Sequence, residues 1–405
     1  MRAGRARAVV ALAAATYLVA WAFGSKPLYP IAVGLALAAA VGWAWTRLAA
    51  GPMTLRRRAG RGEHLEGDDV WITVELERRS PLPTGSLTLV ERITGLPEQR
   101  TRLHSLGRHI RGEYVLERLP RGRYEIEQAG VLVEDPFGLE QVSVPLHAPG
   151  AVVVFPRLVH LEALFSESGR HALDGRRLLL RRPSGFDLHS VREYEQGESL
   201  RKVHWASTAR RGQLMVKELE DAPRDEVVVL LDCDPAGAVG KPPDSSFDAA
   251  VRAAGSILHA HARRGRRTVL ALNRARPEVH RIASLEGDWR AAMEALAAAR
   301  ADAATPVAAM IGREGGVVAR SLELAVVTTR LDPRLADRLV QRATTHRGVS
   351  LVWVDPSGFA GRTAAARDAE LARLQAAGCA VAVVRRGDDL RTVLGAPRLE
   401  RAAHG

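Results

Sequence analysis

Two carboxylates one residue apart, Asp232 and Asp234, close the apolar run Glu226 to Asp232 (EVVVLLD), and their type and spacing point most directly to chemistry. Carboxylate oxygens are hard ligands suited to Mg²⁺ or Ca²⁺. Thr328, Thr329 and Asp332 follow a second apolar run. The alternative is structural: Asp232 caps a neighbouring backbone or pairs with an arginine. Other chemistry finds less support. Gly240-Lys241 has a superficial likeness to a phosphate loop, but Pro235 stands where the first glycine belongs and Pro242 where Ser or Thr is required. The chain has no G-x-S-x-G, H-E-x-x-H or G-x-G-x-x-G. His204, beside Trp205, reads as a structural histidine, and His259 and His261 as fillers on an Ala-rich helix. Cys233 and Cys379, the two cysteines, sit in apolar runs and read as small core residues. Two cysteines exclude a disulfide scaffold and a four-cysteine zinc module.

The elements that would position Asp232 alternate between strand and helix from about residue 224 onward. Strands are expected at 226–232, 267–273, 322–328, 350–354 and 380–384. Helices are expected at 247–264 (with Asp244-Ser245-Ser246 as its N-cap region), 288–299, 333–344 (introduced by Asp332) and 363–377. Near-continuous apolar strands between amphipathic helices imply a doubly wound parallel sheet covered on both faces. Ligands of such sheets bind outside the carboxyl ends of the strands, at a switch point. That is where Asp232 and Asp234 stand.

From 64 to 160 the pattern is different. Val70, Ile72, Val74 and Leu76 alternate with Trp71, Thr73 and Glu75, and short runs at 86–93, 113–116, 124–127, 131–133 and 151–155 continue the series. Turns such as Pro120-Arg121-Gly122 and Asp135-Pro136-Phe137-Gly138 punctuate it. Six or more short strands predict a small β-sandwich or barrel, of which the sandwich is the expected fold, a structural or interaction domain without a catalytic constellation.

The N-terminus has another character. Residues 8–25 and 27–46 are uncharged and separated by Lys26 alone, in the turn-like Gly24-Ser25-Lys26-Pro27. Two helices, at about 8–25 and 28–47, are long enough to form a transmembrane hairpin. Residues 1–62 carry nine basic residues and no acidic one. Arginines flank both outer ends, Arg2, Arg5 and Arg7 before the first helix and Arg47 and Arg56 to Arg58 after the second. This bias predicts a two-pass plasma-membrane protein with N-terminus and body in the cytoplasm. Tyr17, Trp21, Trp43 and Trp45 are placed as interfacial aromatics. A cleaved signal covering the first run is the alternative, and the second apolar run with its following Leu55-Arg56-Arg57-Arg58 opposes it.

Of the formal +12, residues 1–62 supply +9 and residues 170–217 a further +6, leaving the remainder at −3. Charge so localised excludes a surface coated for nucleic acid. The cluster Arg176, Arg177, Arg181 and Arg182 reads as a solvated or partner-facing loop. The expected organisation is therefore a transmembrane hairpin (1–50), a basic juxtamembrane linker (51–63), a β-sandwich (64–160), a connecting segment (161–223) and an α/β domain (224–405).

The connecting segment is chemically unusual. Between 184 and 220, Arg192, Arg201, Arg210 and Lys217 alternate with Glu193, Glu195, Glu198 and Glu218, with Tyr194 and Trp205 interleaved. A short helix ending at Gly212 and a strand entering at Leu214 are expected. Arginines that bind carboxylates and stack on aromatics suit a domain junction. The run Arg192-x-Tyr194-x-x-Gly197-Glu198-x-x-Arg201-x-x-x-Trp205-x-x-x-Ala209-Arg210, then Leu214-x-Val216-Lys217 and Glu220, resembles the signature of the DUF58 family. Glu198 departs from it, since Asp usually follows that glycine. Arg121-Gly122-Arg123-Tyr124, the Asp135-Pro136-Phe137-Gly138-Leu139 turn and the order of parts are similar to that family too.

The resemblance implies a von Willebrand factor A-like α/β domain. It also implies a non-enzymatic adaptor role beside a MoxR-type AAA+ ATPase and other membrane proteins, in assembly or maturation of an envelope or protein complex. A domain of that type that binds Mg²⁺ does so through Asp-x-Ser-x-Ser with Thr and Asp from later loops, so the resemblance implies Thr328, Thr329 and Asp332 as further contributors. Here Asp234 and Ala236 replace the serines, so the resemblance implies a degenerate site. A metal-dependent hydrolase using Asp232 and Asp234 and a purely structural membrane scaffold remain the alternatives.

Overall fold

The computed structural model describes residues 3–60, 62–80, 82, 84–106, 109–167, 188–193, 203, 205–219, 224–313, 315–345, 347–362 and 367–395. The chain divides into two compact units, Met1–Phe155 and Pro156–Gly405.

The first unit opens with two helices, α1 (Ala3–Ala22) and α2 (Leu28–Ala49), both long and apolar enough to cross a membrane. Gly24, at φ 63°, ends α1, and Ser25 N–H reaches back to Ala20 carbonyl at 3.0 Å. This left-handed cap reverses the chain because glycine adopts positive φ without steric cost.

Nine strands follow: β1 (Met53–Ala59), β2 (His64–Leu65), β3 (Val70–Arg78), β4 (Ser86–Ile93), β5 (Gln99–Leu106), β6 (His109–Leu116), β7 (Gly122–Glu134), β8 (Gln141–Leu146) and β9 (Ala151–Phe155). Hydrogen bonding runs in the order β1-β3-β6-β5-β4-β7-β9-β2, with β8 on β7. Two strands carry the sheet around corners. β5 pairs with β4 through Gln99 to Leu103 and with β6 through His104 to Leu106. β7 pairs with β9 at its start, and with β4 and β8 further along. The inner faces enclose one core of Val70, Ile72, Val74, Leu76, Leu87, Leu89, Ile110, Val131, Val133 and Val154, with Trp45 and Met53 packed against it.

Three sequence-based boundaries need correction. Residues 53–59, expected in a basic linker, form β1, paired antiparallel with β3 from Met53↔Arg78 to Ala59↔Ile72. The segments 124–127 and 131–133 are one strand, β7. Residues 156–160, expected in the β-sandwich, belong to the second unit, where Val159 N–H donates to Ser256 Oγ at 3.0 Å.

The second unit carries a two-stranded sheet, β10 (Leu188–Glu193) with β11 (Met215–Leu219), and the short helix α3 (Trp205–Arg211) between them. Its main sheet has the order β14-β13-β12-β15-β16-β17. These strands are β12 (Arg224–Asp232), β13 (Arg267–Asn273), β14 (Glu278–Ile282), β15 (Ser321–Thr328), β16 (Gly348–Val354) and β17 (Ala380–Val384). All pair in parallel except β14, an antiparallel edge on β13. Helices α4 (Ser246–Arg263), α5 (Trp289–Ala298), α6 (Val307–Ile311), α7 (Val317–Arg320), α8 (Pro333–Thr344), α9 (Asp368–Ala376) and α10 (Leu390–Leu394) complete the unit.

Capping follows the sequence. Ser245 accepts from Asp248 N–H at 3.0 Å at the start of α4, and Asp332 from Leu335 N–H at 2.7 Å at the start of α8. On one side of the sheet, Val228, Leu230, Leu324, Val326 and Leu351 pack with Leu335 and Leu339 of α8.

Candidate functional site at the carboxyl end of the central strands

The strand order turns outward in both directions from β12 and β15, so the crevice between their carboxyl ends is the switch point of the sheet. Asp232 ends β12, Asn273 ends β13 in direct register with it, and Thr328 ends β15. Each is a polar residue closing an apolar run. The sheet ladder brings the three together from positions 41 and 96 residues away from Asp232 in sequence.

Asp232 is 2% exposed, and both its oxygens accept protein donors. Its Oδ2 accepts the Thr328 hydroxyl at 2.7 Å; its Oδ1 accepts Asn273 Nδ2 and Asp234 N–H, both at 3.2 Å. Burial pushes the carboxyl above its ordinary range, against the pull of the Thr328 and Asn273 hydrogen bonds. Asn273 also donates to Thr305 carbonyl at 3.0 Å, tying in the segment before α6. Thr328 Oγ1 in turn accepts Arg330 N–H at 2.9 Å.

Asp234 lies one step further out. Its Oδ1 accepts Ala236 N–H at 2.8 Å, and its Oδ2 lies 3.0 Å from Nη1 of Arg330. Arg330, half exposed, is therefore the cation of this site. Gly237, in the turn Pro235–Gly237, presses its backbone on the Thr329 side chain and has no room for a Cβ. Ser246 closes the loop from the far side, accepting Val239 N–H at 2.8 Å and donating to Gly237 carbonyl at 2.7 Å.

As arranged, these residues do not fit a divalent cation. Both Asp232 oxygens already accept protein donors, and the outward oxygen of Asp234 is held by a guanidinium. Ala236 supplies no hydroxyl. Thr329 Oγ1 and Asn273 Oδ1 are buried oxygens without a hydrogen-bond partner among the described residues, but Thr329 is packed onto Gly237. Among the described residues no three His, Cys, Asp or Glu side chains converge as a metal site. Asp332, expected as a possible contributor, caps α8 instead.

Of the signature residues, Tyr194, Gly197, Glu198, Arg201 and Glu220 lie outside the described residues, as do His204 and the cluster Arg176, Arg177, Arg181 and Arg182. Arg192 and Lys217 are on adjoining strands, in register with Val216 and Val191 respectively. Trp205 is 66% exposed at the start of α3 and Arg210 is exposed near its end. Gly212, at φ 71°, stops the helix as expected, and Met215 N–H donates to Thr208 Oγ1 at 3.0 Å.

Asn273 and Arg330 escaped the sequence reading. Asn273 had a usable signal, an amide ending an apolar run as Asp232 does. Arg330 had none, because its role depends on which loop β15 feeds.

Comparison with known proteins finds a family match over part of the chain and a distant relative. The chain is 26% identical over 284 residues to "Uncharacterized protein YeaD" of Bacillus subtilis (strain 168), covering 65% of this chain and 67% of that one. Among solved structures, an uncharacterized Listeria monocytogenes protein, lmo2446, aligns at 14% identity and TM-score 0.18 over 24% of this chain, which spans 9% of its length. Cwp6 from Clostridium difficile aligns at 10% identity and TM-score 0.19 over 74% of this chain and 41% of its own. Scores this low carry no argument about fold or function. Residues 190–360, from the signature segment through β16 to the turn beyond it, match the family described as "Protein of unknown function DUF58".

Proposed function

We propose that this chain is a membrane-anchored, non-enzymatic adaptor or scaffold working with a MoxR-type AAA+ ATPase in assembly or maturation of an envelope or protein complex. In this reading α1 and α2 span the plasma membrane, with both termini and the body cytoplasmic. The second unit is a von Willebrand factor A-like domain. Its sheet order, with one antiparallel edge strand beside five parallel ones, supports that assignment.

The observation that carries the reading is the engagement of both Asp232 oxygens by protein donors. A general base or metal ligand needs a lone pair directed at substrate, whereas Asp232 is 2% exposed and turns both oxygens to protein donors, three in all. The network instead stiffens the carboxyl edge of the sheet and leaves Asp234 and Arg330 as its outward polar groups. Those two, rather than the buried Asp232, are the residues a partner would meet. The metal-dependent hydrolase alternative requires Arg330 to leave Asp234. The structural scaffold alternative requires no partner at this edge.

A pull-down of the detergent-solubilised full chain from its native membranes, with and without Mg²⁺–ATP, tests the proposal. Recovery of an AAA+ ATPase whose association responds to nucleotide and weakens in Arg330→Ala supports the adaptor. Recovery of no ATPase under either condition overturns it.

A further inference from the structure

The Asp135-Pro136-Phe137-Gly138 turn between β7 and β8 has no part in the site at the sheet edge, and its position in the first unit is unusual. The rings of Tyr17 and Tyr29 meet edge-on with centroids 5.4 Å apart, which sets the register of α1 against α2. Twelve residues onward along each helix, away from the hairpin turn, lie Arg5 and Val41. The Asp135 turn arrives at that level. A Cβ on Gly42 would lie 3.5 Å from Asp135 Cγ, and one on Gly138 would lie 4.0 Å from Arg5 Nη1. From the other side Gly85 donates its N–H to Glu134 carbonyl at 2.9 Å and leaves no room for a side chain against the Asp135 carbonyl, so the turn is held in place.

Depth follows from helix geometry. An apolar helix crosses a hydrocarbon layer of about 30 Å in about 20 residues, so a span beginning at Leu28 reaches Arg47. Gly42 stops five residues short of Arg47, about 7 Å to the hydrocarbon side at about 1.5 Å per residue. Arg47 lies over the Trp43 ring, 4.5 Å from its centroid, an arrangement suited to the boundary between headgroups and chains.

The turn is built for that depth. Asp135 is 1% exposed, and its carboxylate accepts the backbone N–H groups of Phe137, at 2.6 Å, and Glu140. Its charge is thus satisfied inside the turn. Phe137, by contrast, is 65% exposed.

We infer that this turn is a membrane-interface anchor, with the Phe137 ring inserted just inside the headgroup–acyl boundary of the bilayer that holds the hairpin, Arg47 at the phosphate level, and the long side chain of Arg5 reaching toward it from a deeper backbone position. The inference rests on the reading of α1 and α2 as membrane spans.

Cys233 and Cys379 are buried, so one introduced surface cysteine is selectively labelled. The full chain carrying Phe137→Cys, Trp43→Cys or Val279→Cys is labelled with the environment-sensitive fluorophore NBD. Each is then reconstituted into phosphatidylcholine–phosphatidylglycerol vesicles, with or without lipid bearing a nitroxide high on the acyl chain. Position 43 reports the hairpin and position 279, on the edge strand β14, reports water. The expected result is a blue-shifted label at 137 whose quenching by the nitroxide is within about twofold of that at 43, with none at 279. Quenching at 43 without quenching at 137 overturns the anchor while leaving the hairpin intact, and reassigns Phe137 to a protein partner. Quenching at neither position overturns both readings.

Discussion

Thr328 donates its hydroxyl proton to Asp232 across the gap between the two central strands, at 2.7 Å, with both residues buried. Thr328 Oγ1 also lies 2.9 Å from Arg330 carbonyl and accepts Arg330 N–H at 2.9 Å. One hydroxyl thus joins the carboxylate that ends β12 to the backbone that leaves β15. This relationship predicts that the charge at position 232 is replaceable and the hydrogen bonding is not.

Replacing Asp232 by Ala removes the acceptor for Thr328, Asn273 and Asp234 N–H together. Unpaired buried donors cost about 1–3 kcal/mol each, although Thr328 can turn its proton to Arg330 carbonyl. The expected loss is about 2–4 kcal/mol. Asp232→Asn keeps the shape, and its amide can donate to Thr328 Oγ1 while Thr328 donates to Arg330. It should therefore be at least as stable as the parent near neutral pH. Thermal midpoints of the two variants in the detergent-solubilised full chain decide this, and an Asn variant as unstable as the Ala variant would refute it.

The same carboxyl predicts a pH dependence. Burial raises its folded-state pKa above the ordinary carboxylate range, so the native chain holds this proton more tightly than the unfolded one. Stability from this group is present below the unfolded pKa and is lost as pH rises toward the folded one. The advantage of Asp232→Asn over the parent should be absent below about pH 4 and grow as pH increases. A stability difference that is flat with pH would show that ionisation of Asp232 carries no cost.

Magnesium should do nothing to the parent chain. A ligand that binds only the folded state at about 100 times its Kd adds about 2.7 kcal/mol, which a thermal scan resolves easily. With Arg330 on Asp234 and the Asp232 oxygens engaged, millimolar Mg²⁺ or EDTA should leave the midpoint unchanged. A saturable rise with Mg²⁺ would restore the metal-dependent hydrolase.

The first unit contains a buried ion pair that can be tested in the same way. Arg57 Nε lies 2.5 Å from Glu91 Oε1, Tyr114 donates to Glu91 Oε2 at 2.5 Å, and Glu91 is 1% exposed. Burial beside this carboxylate drives the Tyr114 phenol far above its ordinary pKa. Arg57→Ala should destabilise by about 3–5 kcal/mol, because it strands a buried charge. The triple replacement Arg57→Met, Glu91→Leu, Tyr114→Phe should cost less than that single change. Equal losses would mean that packing, and not the uncompensated charge, sets the penalty.

The hairpin reading predicts topology. A reporter fused after Gly405 should be active only in a form that works in the cytoplasm, and one inserted at Lys26 only in a form that works outside it. Both reporters on one side would leave a single span or none.

Much of the second unit was legible because its signals are local. Apolar runs bounded by polar residues located Arg267–Asn273 and Ala380–Val384 to the residue, and Asp332 with Pro333 located the start of α8. β14 (EVHRI) was missed because a short, half-exposed edge strand has little apolar content. β1 was missed for an instructive reason. Its sequence MTLRRRA alternates inward and outward, but the inward position after Leu55 is Arg57, whose partner Glu91 is far away in sequence. Three consecutive arginines look like a membrane-flanking cluster until that partner is known. The same limit applies at the candidate site. Asp232 and Thr328 announce themselves as polar ends of apolar runs, whereas the functions of Asn273 and Arg330 come from register and loop path.

The short connection between α2, ending at Ala49, and β1, beginning at Met53, has a mechanical consequence. Only Ala50, Gly51 and Pro52 intervene, and Ala49 and Ala50 already pack with the β-core. If α2 is fixed in a bilayer, the β-unit has no tether on which to wander. A pull on the rest of the chain is taken up by β1 along its length against β3, in shear, where the ladder's hydrogen bonds share the force instead of parting one at a time. On the membrane reading, a partner that hauled on this protein would load the β1–β3 ladder along its whole length.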